Sequence, residues 1–259
     1  MTASASPAAT ANASATTAAR SGSRFRPSFF FWMTLLMACF VFGGFGMTYW
    51  FPLARGAFPP APPVVHLHGM VFSAWMVLLV VQSALVSSRN VALHRKLGSF
   101  GIAHATAVIF MGALITLLGG LGGRENPGGN YYDGLYLGIM AVLGFGLLFT
   151  LAIRNVRRPE VHKRMILFAL LPILPPGIHR LYMVPFGLSA FPVLPMYLTL
   201  DAMALAIMLH EWRRLGRISG WTMVGVGWIL LQQLLHYPVT HSEWFAHFLY
   251  ELTSMVRYR

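Results

Sequence analysis

The chain has 259 residues, of which 56% are hydrophobic and only 10% are charged. This composition is typical of a polytopic membrane protein and excludes an ordinary soluble domain. The net charge of +12 does not indicate nucleic-acid binding, because the basic residues lie in short blocks between apolar runs, where they orient a chain in a membrane. The single cysteine, Cys39, excludes an intrachain disulfide and a cysteine-based zinc or iron–sulfur site.

Residues 1–28 consist largely of Ala, Ser and Thr. Such a segment cannot bury enough apolar surface to fold, so we expect a disordered cytoplasmic tail. The apolar run that follows contains a short L-M-A-C sequence ending at Cys39, which resembles a lipoprotein cleavage site. Because the run continues past this point to about Trp50, the pattern favours a first membrane helix that is retained.

Seven apolar runs are long enough to cross a bilayer core of about 30 Å as helices. They cover approximately residues 29–50, 66–87, 97–121, 132–153, 163–183, 192–210 and 219–238. The sequence therefore predicts an all-α bundle of seven transmembrane spans. It forms one membrane domain at residues 29–238, followed by a short external tail at residues 239–259.

Basic residues alternate between the loops of this predicted bundle. The loops after the second, fourth and sixth runs are rich in Arg and Lys, for example Arg95, Arg158 and Arg213, whereas the other loops carry almost none. Basic loops stay in the cytoplasm, so we expect a cytoplasmic N-terminus and an external C-terminus in a bacterial inner membrane. Arg257 and Arg259 argue mildly against the external C-terminus.

Two of the basic turns are alike in sequence. R-N-V is followed by L-H-R-K within residues 89–96, and R-N-V is followed by V-H-K-R within residues 154–164. One interpretation is a parallel duplication of a two-helix unit, with residues 66–183 as a four-helix core. The other is that short cytoplasmic turns share these residues because of their charge.

The second run carries a narrow polar stripe. At about 100° per residue, His68, Trp75 and Gln82 fall on one face of a helix, while His66 lies about 200° away from His68. Lipid cannot satisfy such a stripe, so it must face protein or a water-filled cavity. We therefore expect His68 to point into the bundle and His66 to point elsewhere.

The fifth run is interrupted by Pro172, Pro175 and Pro176. Proline removes an amide donor and clashes with the preceding turn, so this helix must kink or unwind. Irregular backbone at membrane depth is tolerated only where it is packed in protein or lines a cavity. His179 lies 17 residues after His162, about 25 Å along an ideal helix, so His179 and Arg180 belong to the outer half of the membrane. They either form part of a site or, for Arg180, simply reach the interface.

Histidines gather toward the outer end of the predicted bundle: His68 begins the second run, His179 follows the break and His236 ends the seventh run. Imidazole is a common ligand for haem iron, zinc and copper, and it carries protons near neutral pH. These three are candidate metal ligands, and Trp75 and His104 join His68 and His179 as candidate cofactor contacts. An ordinary interfacial or core position is the alternative for each.

Asp201 is the only carboxylate near the middle of any run. An ionisable group at that depth is costly and is a functional candidate by default. Tyr197 lies one turn earlier and is positioned to donate to it, and Arg180 is the remaining cation for an ion pair because no lysine lies at that depth. Asp201 and Arg180 are therefore candidate catalytic residues. An interhelical hydrogen-bond seam is the alternative.

Several short motifs resemble those of a group of uncharacterised bacterial integral membrane proteins: H-x-H at residues 66–68, L-H-R-K-L-G at 93–98 and P-E-V-H-K-R-M at 159–165. The resemblance covers about residues 60–185. Histidines at both ends of a four-helix core are also similar to membrane b-type cytochromes, which implies haem b as a cofactor. The chain departs from two-haem members, because no two helices carry paired inner and outer histidines.

These residues favour a redox role, in which haem b or a quinone lies between the second and fifth runs and takes part in electron transfer. His68 and His179 would be the two axial ligands of the haem, and Arg180 would pair with a propionate. The alternative is a small-solute or proton transporter, or an assembly factor for a respiratory complex, with Asp201 and the histidines as a relay. The expected partner is the lipid bilayer.

Overall fold

The computed structural model describes residues 25–123, 131–187 and 193–255, and these ranges are helical with no strand. We number the helices in chain order within the described residues: α1 (Phe29–Ala54), α2 (Pro63–Ser87), α3 (Val91–Gly123), α4 (Tyr131–Arg154), α5 (Pro159–Ile173), α6 (Pro175–Phe186), α7 (Val193–Leu215), α8 (Gly220–Thr240) and α9 (Glu243–Ser254). Most of the predicted N-terminal tail, residues 1–24, lies outside these ranges.

Helix starts follow from local sequence. The hydroxyl oxygens of Ser28, Ser219 and Ser242 accept hydrogen bonds from backbone amides three residues later, at the beginnings of α1, α8 and α9. Serine is a preferred residue at this position because it satisfies an amide that has no partner within the helix. Pro159 and Pro175 occupy the first turns of α5 and α6, where a missing amide donor costs little.

Five helices, α1 to α4 and α7, are each long and apolar enough to cross a membrane. The pair α5 and α6 forms a sixth candidate that is bent by 49°, and this bend confirms the predicted interruption of the fifth run. The seventh predicted run is the 21-residue helix α8, but Gln232, Gln233 and His236 lower its hydropathy and it is not among the candidate spans. Five or six apolar helices fit a multi-pass membrane protein.

The helices α2, α3, α4 and the α5–α6 pair pack side by side as a four-helix core. The largest buried side chains of this core include Trp75, Phe145, Met165 and Phe168. Helix α1 packs on α2 and α6, whereas α7 and α8 cover the other side. The α2–α3, α4–α5 and α7–α8 turns and the helix ends beside them carry most of the arginines and lysines, and they form what we call the basic end.

Within the predicted external tail, residues Glu243–Ser254 form the helix α9. Phe245 and Leu249 of α9 are buried, whereas Trp244 and Tyr250 are exposed. The side chain of Thr253 reaches the end of α3, so α9 caps the bundle at the end opposite the basic end. Exposed aromatic side chains at this level fit the membrane–water interface, where an amphipathic ring contacts both media.

The asparagines of the two similar basic turns form different hydrogen bonds. Asn90 accepts a hydrogen bond from the Leu93 amide at 3.3 Å, at the start of α3. Asn155 instead donates to the Leu151 carbonyl at 2.8 Å, at the end of α4. One asparagine thus supports the following helix and the other the preceding helix, and the duplication stays a hypothesis.

Candidate functional site

An elongated, half-open cavity of about 410 Å³ lies between α2, α3, α4 and the junction of α5 with α6. Its wall follows α4 from Tyr131 to Phe145, which is about 21 Å at 1.5 Å per residue. The cavity therefore extends from the α9 end of the bundle to beyond the middle of α4. Its volume is in the range of small-molecule sites.

Glycines on α3 and α4 provide the space for this cavity. Gly119 and Gly134 line it, and a Cβ added at either position would meet no atom within 4 Å. Gly138 also lines it, but a Cβ there would collide with the Thr116 side chain. The first two glycines thus border open space, and the third allows α3 and α4 to pack closely.

Four side chains on the cavity wall are polar: His68, Thr116, Tyr131 and His179. The hydroxyls of Thr116 and Tyr131 each donate to a backbone carbonyl of α3 at 2.8 Å, so their protons are used within the protein. Nδ1 of His68 is buried and has no hydrogen-bond partner among the described residues. The imidazole of His68 is therefore the polar group best suited to meet a ligand in an otherwise apolar cavity, and the imidazole of His179 lies on the same wall.

The predicted pair His68 and His179 lies on the wall of this one cavity. His68 comes from the polar face of α2, and His179 follows the bend at the start of α6. His66 points away, because its Nδ1 lies 2.9 Å from the Tyr49 hydroxyl of α1. The structure brings the two histidines to a common space, and their role as ligands to a cofactor stays a prediction.

Arg180 is not arranged as the sequence suggested. Its guanidinium donates to the Pro176 carbonyl at 2.6 Å and lies 4.4 Å from the centre of the Phe45 ring on α1. It does not line the cavity. The residue after His179 is rotated by about 100° around the helix axis, and this rotation turns the Arg180 side chain toward α1.

Trp75 and His104 do not line the cavity and lie in the core next to residues that do. Trp75 is only 2% exposed and packs edge-on against Phe145, which does line the cavity. His104 Nε2 donates to the Val71 carbonyl at 2.9 Å, because a carbonyl can only accept. His104 thus links α2 and α3 within the core, which is the non-ligand alternative stated for it above.

Asp201 has a different partner from the ones expected. Its Oδ1 accepts a hydrogen bond from Gln233 Nε2 of α8 at 2.8 Å, and no ion pair joins it to Arg180 in the described part of the chain. Tyr197 does not donate to Asp201, because its hydroxyl lies 2.8 Å from His236 Nδ1. Asp201 also lines a separate, otherwise apolar cavity of about 140 Å³ between α7 and α8.

His236 lies among α4, α7 and α8, away from the cavity that His68 and His179 share. Its Nε2 lies 2.9 Å from Asp133 Oδ1, and its ring stacks on Tyr136 at 5.0 Å. The sequence interpretation missed Asp133. The signal was present, since the chain has only seven acidic residues and this one begins an apolar helix.

The three candidate metal ligands are not brought together. Among the described residues, no group of three or more His, Cys, Asp or Glu side chains is arranged to hold a metal ion. The two ring nitrogens of His236 lie next to Asp133 and Tyr197. Of the three candidate metal ligands, only His68 and His179 therefore share a cavity. A pair of imidazoles is fewer than the three or four protein ligands of typical zinc sites.

Comparison with protein-family models, with curated proteins and with solved structures finds no match to this chain. Its function therefore has to be inferred from the geometry of its own residues.

Proposed function

We propose that this membrane protein binds a quinone in the four-helix core and holds it for electron transfer. The observation that carries the proposal is the apolar cavity that His68 and His179 share. A quinone has an apolar tail and a head group with two carbonyl oxygens. Its tail suits the long apolar walls, and its carbonyls suit the imidazole N–H groups. The buried Nδ1 of His68 needs such a partner, because an unpaired buried polar group costs about 1–3 kcal/mol.

The charge of the wall favours a quinone over haem b. The histidine pair would supply the two axial ligands of a six-coordinate b-type haem. Haem also brings two carboxylates, and the residues described on the cavity wall include no lysine or arginine. Arg180, the expected partner of a propionate, lies against Phe45 instead. A neutral quinone needs no such counter-charge.

The histidines would serve a quinone in two ways. As donors, they would orient the head group at the end of the cavity near α9. Because an imidazole has one nitrogen that donates a proton and one that accepts a proton, they would also pass on the protons that accompany reduction and oxidation of a quinone. The electrons themselves would come from a redox partner protein.

The test of this proposal is the quinone content of the purified protein. We expect organic extracts of the wild type to contain quinone, identified by the ultraviolet change on reduction. His68→Leu and His179→Leu are expected to lower the affinity for added quinone by about tenfold or more, since each removes a donor to a buried carbonyl. His66→Leu is the matched control, because His66 contacts Tyr49 outside the cavity.

A second pair of variants tests the cavity itself. Gly134→Phe should fill it and abolish quinone binding, while Gly122→Phe should leave binding unchanged. Both positions accept a side chain without a nearby atom, and only Gly134 lines the cavity. A Soret absorption band in the wild type would favour haem b. A sample that holds neither quinone nor haem would favour a solute transporter or an assembly factor.

We further propose seven spans in the bacterial inner membrane, with the N-terminus in the cytoplasm and the C-terminus outside. The support is that the basic residues collect at one end of the bundle, as cytoplasmic ends do. Reporter fusions after residue 218 should read cytoplasmic, and fusions at the C-terminus should read external. A cytoplasmic C-terminus would show that α8 does not cross the membrane.

A further inference from the structure

We propose that the small cavity between α7 and α8 binds an alkylammonium ion, with Asp201 as its counter-charge. This cavity of about 140 Å³ is separate from the one that His68 and His179 share, so its ligand does not depend on quinone binding. Among the described residues of its wall, Asp201 alone is polar. The others are apolar: Ala204, Leu205, Met208, Val226, Ile229 and Leu230.

The Asp201 carboxylate uses only part of its capacity to accept hydrogen bonds. Its Oδ1 accepts from Gln233 Nε2 at 2.8 Å. Its second oxygen forms no hydrogen bond or ion pair with the described part of the chain, and neither does the amide oxygen of Gln233. Because the nitrogen of that amide group contacts Asp201, its oxygen also lies near the carboxylate. Two acceptor oxygens are therefore close together, and they carry one negative charge.

These oxygens lie at one end of the cavity, and its apolar wall extends from them toward the basic end. Along α7 the wall runs from Asp201 to Met208, which is about 10 Å at 1.5 Å per residue. Leu205 and Leu230 line the cavity and are 52% and 47% exposed, so it opens on the outer surface of α7 and α8. A ligand with a charged head and a short apolar tail matches this shape.

The charge of Asp201 decides the charge of the ligand. A carboxylate in an apolar environment is costly unless it is paired and hydrogen-bonded, and a monocation makes the pair neutral. An ammonium group donates three hydrogen bonds, which suits two neighbouring acceptor oxygens. Ca²⁺ and Mg²⁺ take about six or more oxygen ligands, far more than the oxygens of Asp201 and Gln233 supply. An organic ammonium ion therefore fits better than a divalent metal ion.

The volume of the cavity limits the size of the ligand. A water molecule occupies about 30 Å³ in the liquid, so 140 Å³ holds roughly five non-hydrogen atoms. The n-butylammonium ion, with one nitrogen and a chain of four carbons, has this size. Its nitrogen would lie at Asp201 and its chain would point toward Met208. Like the side chain of lysine, an alkylamine is protonated at neutral pH.

The test is binding of n-butylammonium chloride to the full-length protein in detergent at neutral pH, measured by saturation-transfer NMR against protein-free micelles. n-Butanol is the uncharged probe of the same size. We expect Asp201→Asn to weaken n-butylammonium binding by roughly tenfold or more, because a hydrogen bond to a charged group is lost, and to leave n-butanol binding unchanged. Asparagine keeps an oxygen that accepts from Gln233, so the contact between α7 and α8 is preserved.

A second pair of variants locates the bound ion. Ala204→Leu should fill part of the cavity and weaken the binding of both probes. Ala202→Leu is the matched control, because Ala202 is exposed on the same helix and does not line the cavity. Equal n-butylammonium affinities in the wild type and Asp201→Asn would overturn the proposal. So would a wild type that binds n-butylammonium no more tightly than n-butanol. Neither outcome bears on quinone content.

Discussion

Glu211→Ala is expected to destabilise the folded protein by about 3–5 kcal/mol, because it removes the buried partner of Arg164 and leaves only the exposed Glu160 beside that charge. Arg164 of α5 lies 3.1 Å from Glu211 of α7, and the two side chains are 4% and 0% exposed. Removing one member of a buried ion pair leaves an uncompensated charge, which costs far more than the pair itself contributes. Thermal unfolding in detergent, followed by fluorescence, measures the effect.

Glu160→Ala is the control for this prediction. Glu160 also contacts Arg164, at 3.3 Å, but its side chain is 45% exposed. Water screens this contact, so its loss should lower the free energy of unfolding by no more than about 1 kcal/mol. Replacing both buried partners, as in Arg164→Met with Glu211→Leu, should recover most of the stability lost in Glu211→Ala. Equal losses for Glu211→Ala and Glu160→Ala would contradict the buried-pair interpretation.

Gly44→Ala is expected to push α1 away from α6. The free energy of unfolding should fall by about 1–3 kcal/mol, as it does when a close-packed core is overpacked. A Cβ at Gly44 would collide with the Gly177 carbonyl, which is rigid backbone. Small residues allow membrane helices to approach in this way. The reciprocal change, Gly177→Ala, would bring a Cβ within 2.9 Å of the Val41 Cα.

The control is Gly43→Ala, at the adjacent position on α1. Its Cβ would first meet the Leu181 Cδ2 at 3.2 Å, the end of a flexible side chain that is free to shift. We expect Gly43→Ala to stay close to the wild type in thermal unfolding. Similar midpoints of thermal unfolding for Gly43→Ala and Gly44→Ala would show that the packing of α1 against α6 does not depend on the contact between Gly44 and Gly177.

The sequence alone determined the features that depend on neighbours along one helix. Apolar length predicted the five candidate membrane helices and the α5–α6 pair but not the lower hydropathy of α8, and the prolines near Pro175 predicted the bend between α5 and α6. The spacing of His68, Trp75 and Gln82 predicted which face of α2 turns inward, and Trp75 and Gln82 are indeed buried. These inferences succeed because helix period and proline chemistry are fixed locally.

Only the tertiary structure decided which side chains meet across helices. Asp133 and His236 are far apart in the chain, and neither the rotation of α4 nor that of α8 was available from the sequence. For the same reason Arg180 contacts Phe45, Asp201 contacts Gln233 and the shared histidine cavity exists. A helix period fixes the direction of a side chain about its own axis, whereas its partner depends on how neighbouring helices are rotated and how closely they pack.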